Sequence, residues 1–232
     1  NVLGTRPDLR RIVAECHAAG VPVLVDGCQG IVHGGADVAA LDCDFYAFSG
    51  HKLYGPTGVG VLYGKEKYLA EMPPFMGGGD MVQTVTFNGT TYAELPLKFE
   101  AGTANYIGAI GMAEAIRYLA GFDPQAVAEL ERALLRYATE RLQALDGVRI
   151  YGTTPDKCCI VSFTAEGTHP SDIGMILDKL GIAIRTGTHC AEPVMTHYGL
   201  TGMCRASFAL YNTLAEVDAL ADGVERALAM LR

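Results

Sequence analysis

The sequence has no apolar stretch approaching the roughly 20 residues a membrane span requires, and no secretory leader at its start. It also lacks a basic run. Lys and Arg number 18 against 26 Asp and Glu, for a net charge of −8, which argues against nucleic acid and anionic membrane as partners. Cysteine is present, but in no pattern that staples a fold. The seven cysteines stand at 16, 28, 43, 158, 159, 190 and 204. An odd number at irregular spacings argues against a disulfide framework and points to thiols in a reducing, cytoplasmic compartment. Cys158-Cys159 has no second pair at zinc-site spacing and lies in an apolar run, so it reads as core, and no metal site is expected. Phosphate-binding loops are missing too. Gly58–Gly64-Lys65 is one residue off the P-loop spacing and has Glu66 where Ser or Thr belongs, and no strand-Gly-x-Gly-x-x-Gly-helix unit occurs. His17 and His33 read as structural or solvated.

What remains is an ordinary α/β composition. Half of the 232 residues are hydrophobic, with 28 Gly and 10 Pro, enough for a sizeable core. The first residue is Asn, not Met, so the chain reads as beginning part-way through a longer protein. A helix is expected over 7–19, with Leu9, Ile12, Val13 and Cys16 on one face and Gly20 as its stop. Three strands follow over 21–26, 44–49 and 58–63. The first ends at Asp26, with Gln29 three residues on. The second, an apolar and aromatic run, ends in Ser49-Gly50-His51-Lys52. Ligands of open α/β sheets bind outside the carboxyl ends of strands. A lysine there can be desolvated and can form a Schiff base with a carbonyl compound. The plainer alternatives are a surface lysine and, for Asp26, a helix cap or Asx turn.

Residues 72–105 are rich in Gly, Pro and Thr and carry no expected helix, the mark of a functional or interface loop. Helices are expected over 107–120, 124–145, 171–180 and 215–231, with strands over 148–151, 159–163, 182–185 and 204–210. After the helix over 124–145 the pattern changes, and the second half reads as a separate small α+β domain. In that domain, Arg185-Thr186-Gly187-Thr188-His189-Cys190-Ala191-Glu192-Pro193 is a polar loop after a strand. A cysteine flanked by His189 and near Arg185 suits an exposed nucleophile, though an inert loop thiol has the same surroundings in sequence. Arg205 lies in a strand otherwise made of Ala, Ser, Phe and Leu, where a charge needs a partner. A substrate carboxylate provides one through a bidentate pair, and an internal salt bridge provides another.

Val25-Asp26-Gly27-Cys28-Gln29, Ser49–Gly58, Phe99-Glu100-Ala101-Gly102-Thr103, Arg185–Pro193 and Arg205-Ala206-Ser207 occur in order along the chain. Together they resemble the cysteine desulfurases of the Suf type, within the class V aminotransferase-like family of fold-type I pyridoxal phosphate enzymes. The resemblance implies roles. Lys52 would hold pyridoxal phosphate and move protons at the substrate α-carbon. Asp26 would pair with the pyridinium nitrogen and Gln29 with the phenolic oxygen. Ser49 and His51 would hold the phosphate, and Thr103 would reach the phosphate of the other subunit in a homodimer. Arg205, with Arg185 and His189 beside the cysteine, would bind L-cysteine, or L-selenocysteine. Cys190 would take the sulfur as a persulfide, releasing L-alanine, and a Suf-type acceptor protein would collect it for iron–sulfur cluster assembly. The resemblance also implies the division into 1–108, part of a larger α/β domain with a mostly parallel sheet, and 109–232, a smaller α+β domain. A region before Asn1 that completes the large domain is implied as well. Cys28 stands where the family usually has a small residue such as alanine, and Thr188 where relatives often have histidine. Rival readings are a selenocysteine lyase, another class V aminotransferase-like enzyme, a sulfinate-processing lyase, or a non-catalytic fragment that only dimerises or docks a partner.

Overall fold

The computed structural model describes all 232 residues, Asn1–Arg232. They form two compact units, one of Asp8–Phe122 and one of Asn1–Pro7 with Asp123–Arg232.

In the first unit, helix α1 (Leu9–Ala18) starts where the Asp8 side chain accepts from the Arg11 N–H at 3.1 Å, satisfying one of the amides a helix start leaves free. Strand β1 (Leu24–Asp26) pairs in parallel with β2 (Phe45–Ser49), Leu24 opposite Phe45 and Asp26 opposite Ala47. Strand β3 (Gly60–Gly64) returns antiparallel to β2, so the expected run of parallel strands is carried here by one pair. Short helices α2 (Gly30–Gly34), α3 (Val38–Leu41) and α4 (Glu66–Glu71) fill the connections. Side chains alternate across a strand. Val25 and Tyr46 therefore point into a core with Val13 and Cys43, while Leu24 and Leu62 are exposed.

The starts of β1 and β2 and the end of β3 are tied by one buried carboxylate. Asp44 is 1% exposed. It accepts from the Val23 N–H at 2.7 Å and from His17 Nε2 at 2.8 Å, with Lys65 Nζ at 3.2 Å. Burial alone would raise this carboxyl, but the bonds from His17, Val23 and Lys65 outweigh it and hold it at about 2.

The segment expected to lack helix contains a hairpin, β4 (Val82–Thr86) and β5 (Gly89–Tyr92), turning at Phe87-Asn88, and a short 3-10 turn at Leu97–Phe99. Helix α5 (Tyr106–Ala120) is capped by Asn105, which accepts from the Gly108 N–H and donates to the Gly58 carbonyl, both at 3.0 Å. The division of the chain therefore falls after Phe122, not after residue 108. Helix α5 stays with the first unit because it lies against the loop that follows β2. A Cβ added at Gly111 would stand 2.9 Å from Pro56 Cγ.

The second unit is an antiparallel sheet in the order β6 (Val148–Tyr151), β7 (Ile160–Ala165), β9 (Met203–Ser207), β8 (Arg185–Gly187). Three amphipathic helices cover one face: α6 (Pro124–Gln143), α7 (Pro170–Lys179) and α9 (Leu214–Leu231). Leu134, Ala138 and Leu142 of α6 recur at four-residue spacing and meet Ile173 and Leu177, Val217 and Val224, and Phe163 in a core with less than 2% exposure. Helix α9 opens with a capping box, Thr213 to the Glu216 N–H and Glu216 back to Thr213. On the other face lies the segment Asn1–Pro7, with Val2 packed among Tyr151, Met195 and Met203. The Ser162 hydroxyl donates to the Val2 carbonyl at 2.5 Å. The strand expected over 182–185 is displaced: Ile182 still bonds back to the Leu177 carbonyl as helix α7 unwinds through Gly181, so pairing begins only at Arg185. Helix α8 (Glu192–Tyr198) follows the cysteine. No helix is long and apolar enough to cross a membrane.

Candidate active site

Each unit carries one chemical cluster. In the first unit it sits at the carboxyl ends of β1 and β2. Gly27 follows Asp26 because the backbone passes against the Tyr46 ring, and a Cβ there would lie 1.9 Å from Tyr46 Cζ. The chain then turns so that the Cys28 N–H donates to Asp26 Oδ1 at 3.0 Å. That backbone bond, with a further one from the Cys28 side chain and the charge of Lys52, holds the Asp26 carboxyl below its ordinary value. Burial raises the Cys28 thiol, and its bond to Asp26 raises it further.

Lys52 is half-buried in the 3-10 turn Gly50–Leu53 that follows β2, with Ser49 at its start. Tyr54 closes this turn in the left-handed region, φ 61°. The strands thus bring an ionised carboxylate, an amine, a thiol and the Ser49 hydroxyl to neighbouring strand ends. Gln29 caps α2 without a side-chain bond to it, His51 is exposed beside Lys52, and Thr103 stands exposed after Gly102. An ionised aspartate next to an amine fits pyridoxal phosphate. With that cofactor bound, the carboxylate would keep its ring nitrogen protonated and the amine would reach its aldehyde.

The second cluster surrounds Cys190. The thiol is exposed, as expected, and all seven cysteines are free. Arg185 Nη2 donates to Cys190 Sγ at 3.4 Å. Arg185 and Arg205 are cross-strand partners on β8 and β9. Burial, then the charge of Arg185, lower the Arg205 guanidinium from its ordinary value. Arg205 Nη1 donates to both the backbone and side-chain oxygens of Asn1 at 2.9 Å, while its Nε is buried with no partner. No carboxylate pairs with Arg205; the Asn1 oxygens take its Nη1 hydrogens instead of an internal salt bridge. Asn1 also donates from Nδ2 to the His189 carbonyl at 2.6 Å. Nothing in the sequence marked Asn1, since it stands at the first position with no motif around it. His189, expected beside the substrate, is 2% exposed and turned inward, its Nε2 3.0 Å from the Met203 carbonyl.

A model of the aminotransferase class-V family matches residues 1–220. A cysteine desulfurase of Serratia proteamaculans is 49% identical over 227 residues, 97% of this chain and 56% of that protein. The crystal structure of the cysteine desulfurase CsdA from Escherichia coli, at 47% identity, superposes with a TM-score of 0.94 over 100% of this chain and 57% of that one. A C-DES mutant described with glycine covalently linked to its PLP cofactor is 25% identical with a TM-score of 0.82, over 97% of this chain and 57% of that one. The chain thus spans a little over half the length of the relatives it matches. Its fold is that of the fold-type I pyridoxal phosphate-dependent transferases, as a partial, mixed α/β piece.

Proposed function

The chain belongs to the class-V aminotransferase family, and on that premise we propose that the intact protein is a pyridoxal phosphate-dependent cysteine desulfurase of the Suf type. One observation carries the reading: Cys190 is exposed on a tight turn with Arg185 Nη2 3.4 Å from its sulfur. An aminotransferase needs no such thiol, whereas a desulfurase needs its thiolate beside a cation.

When bound, the cofactor supplies an electron sink for cleavage at the substrate's α- and β-carbons. Lys52 would hold it and then move the proton at the substrate α-carbon. Asp26, held ionised by the Cys28 N–H, would keep the ring nitrogen protonated. Gln29 would bond the ring oxygen, and Ser49 and His51 would hold the phosphate. Arg205 binds the L-cysteine carboxylate. The Cys190 thiolate attacks the substrate sulfur: an S–S bond forms, the Cβ–S bond breaks, and its electron pair stays with the carbon fragment, which is protonated and leaves as L-alanine. The enzyme keeps a persulfide, and no outside oxidant is needed. Thr103 completes the phosphate site of a second copy in a homodimer. A Suf-type acceptor protein takes the sulfur for iron–sulfur cluster assembly in the reducing cytoplasm, a setting that suits seven free thiols.

The test uses the intact protein with pyridoxal phosphate. Wild type is expected to show a visible absorption band that Lys52→Ala lacks, and to release alanine from L-cysteine. Cys190→Ala should keep the band and lose the alanine. Undiminished alanine release by Cys190→Ala would exclude the persulfide route.

A further inference from the structure

Cys190 sits on a turn that its sequence does not favour. The Ala191 N–H bonds the Thr188 carbonyl at 3.0 Å, and the two central residues, His189 and Cys190, have φ of 55° and 60°. Positive φ at both centres defines a type I′ turn, which normally carries Asn and Gly. Two ordinary side chains persist in that conformation only where the surroundings over-determine it.

The surroundings act through His189. Its ring is 2% exposed, and Nε2 lies 3.0 Å from the Met203 carbonyl. A carbonyl oxygen only accepts, so Nε2 carries the hydrogen, and Nδ1 is the lone-pair atom. Nδ1 is buried with no partner. A second proton there would create a donor with no acceptor, near the charges of Arg205 on β9 and Arg185 on β8, the two charged groups that act on the ring. Burial first, then those two guanidiniums, lower the imidazole from its ordinary value. The ring therefore stays neutral and fixed in one tautomer, as Nε2–H. The His189 carbonyl is clamped from the other side by Asn1 Nδ2. His189 adjoins Cys190 in sequence, yet the group that reaches the sulfur is Arg185.

We propose that His189 is a positioning residue for Cys190: its Nε2–H, anchored on the Met203 carbonyl, holds the left-handed turn that keeps the thiol exposed against Arg185. The inference deepens the desulfurase reading by naming what presents its sulfur carrier.

Two measurements on the intact holoprotein test it. In wild type with 15N-labelled histidine, the His189 ring should show a protonated Nε2 and an unprotonated Nδ1 at neutral pH. An Nδ1–H tautomer would overturn the proposal. The second measurement is the rate at which iodoacetamide alkylates Cys190, read by peptide mass. His189→Gln, whose amide can donate to the Met203 carbonyl, should stay within about twofold of wild type. His189→Phe, which keeps the volume and loses the donor, should fall to the rate of Arg185→Gln, and combining the two should slow it no further. An unchanged rate in His189→Phe would refute the anchor. Alkylation requires no turnover. Incubation with L-cysteine, with the Cys190 persulfide read by mass, therefore reports on the desulfurase reading separately, and an absent persulfide beside an intact anchor would overturn that reading alone.

Discussion

Asp44 should set the acid stability of the unit that carries Lys52. Its carboxylate takes the Val23 N–H at the entry to β1, sits itself at the entry to β2, and draws in Lys65 at the exit of β3. It thus clamps the ends of the strands opposite those bearing Asp26 and Ser49. Its folded value of about 2 lies below the ordinary 3.8. A depressed carboxylate contributes stability that is fully present above its unfolded value and is lost as pH falls through the folded one. The window therefore runs from about pH 4 down to about pH 2. A gap of about two units corresponds to roughly 2–3 kcal/mol. Asp44→Asn keeps an acceptor for Val23 but faces Lys65 and His17 with a neutral amide. It should cost roughly 2–3 kcal/mol at neutral pH, the whole charged contribution. The assay is urea unfolding of the intact protein and of Asp44→Asn at a series of pH values. Other carboxylates titrate in both proteins, so the informative quantity is their difference, which should shrink towards zero as pH falls to about 2. A difference that stays constant across that window would refute the argument, because the loss would then come from packing and not from the charge.

Two further outcomes are expected. Arg205→Lys keeps the charge and loses the planar fork, so KM for L-cysteine should rise about tenfold or more while kcat falls less; equal loss in kcat and kcat/KM at unchanged KM would remove Arg205 from carboxylate binding. Thr213→Ala opens the capping box of α9 and should lower the stability of the second unit by about 1 kcal/mol, read as a shifted urea midpoint with unchanged slope.

Helix α5, with Ile107, Ile110 and Ile116 exposed, was legible within one residue from its Ala- and Gly-rich run. Helices α6, α7 and α9 were legible within one or two residues because each buries one face against a core. Leu134, Ala138 and Leu142 or Ile173 and Leu177 write that period into the sequence. The ends of β1 and β2 were legible for the same reason, and the chemical residues stand directly after them. The failures have physical causes as well. Ile182–Ile184 has the composition of a strand, yet its first amide closes the end of α7, and propensity does not see that competition. The hairpin of β4 and β5 is exposed along nearly its whole length, so it lacks the alternation of buried and exposed residues that marks a strand. The boundary at residue 108 split α5 from the loop it packs against, since a close approach such as Gly111 to Pro56 joins residues distant in sequence.

The residues of the candidate site were named by their side chains, but what holds three of them is backbone. Asp26 is kept ionised first by the Cys28 N–H. His189 is fixed by the Met203 carbonyl. Arg205 bonds the Asn1 carbonyl as well as its side chain. Every residue except proline offers the same N–H and every residue the same C=O, so no letter in the sequence marks these partners. This explains why the residue type at position 28 does not decide the Asp26 charge: the Cys28 amide makes the bond that weighs most on it, ahead of the thiol. It also explains why His189 could be taken for a substrate group. The sequence places its imidazole beside Cys190, whereas a carbonyl fourteen residues away decides which way the ring faces. Residue type nominates the chemistry of such a site, and the path of the backbone decides which nominees face the substrate and which hold the others in place.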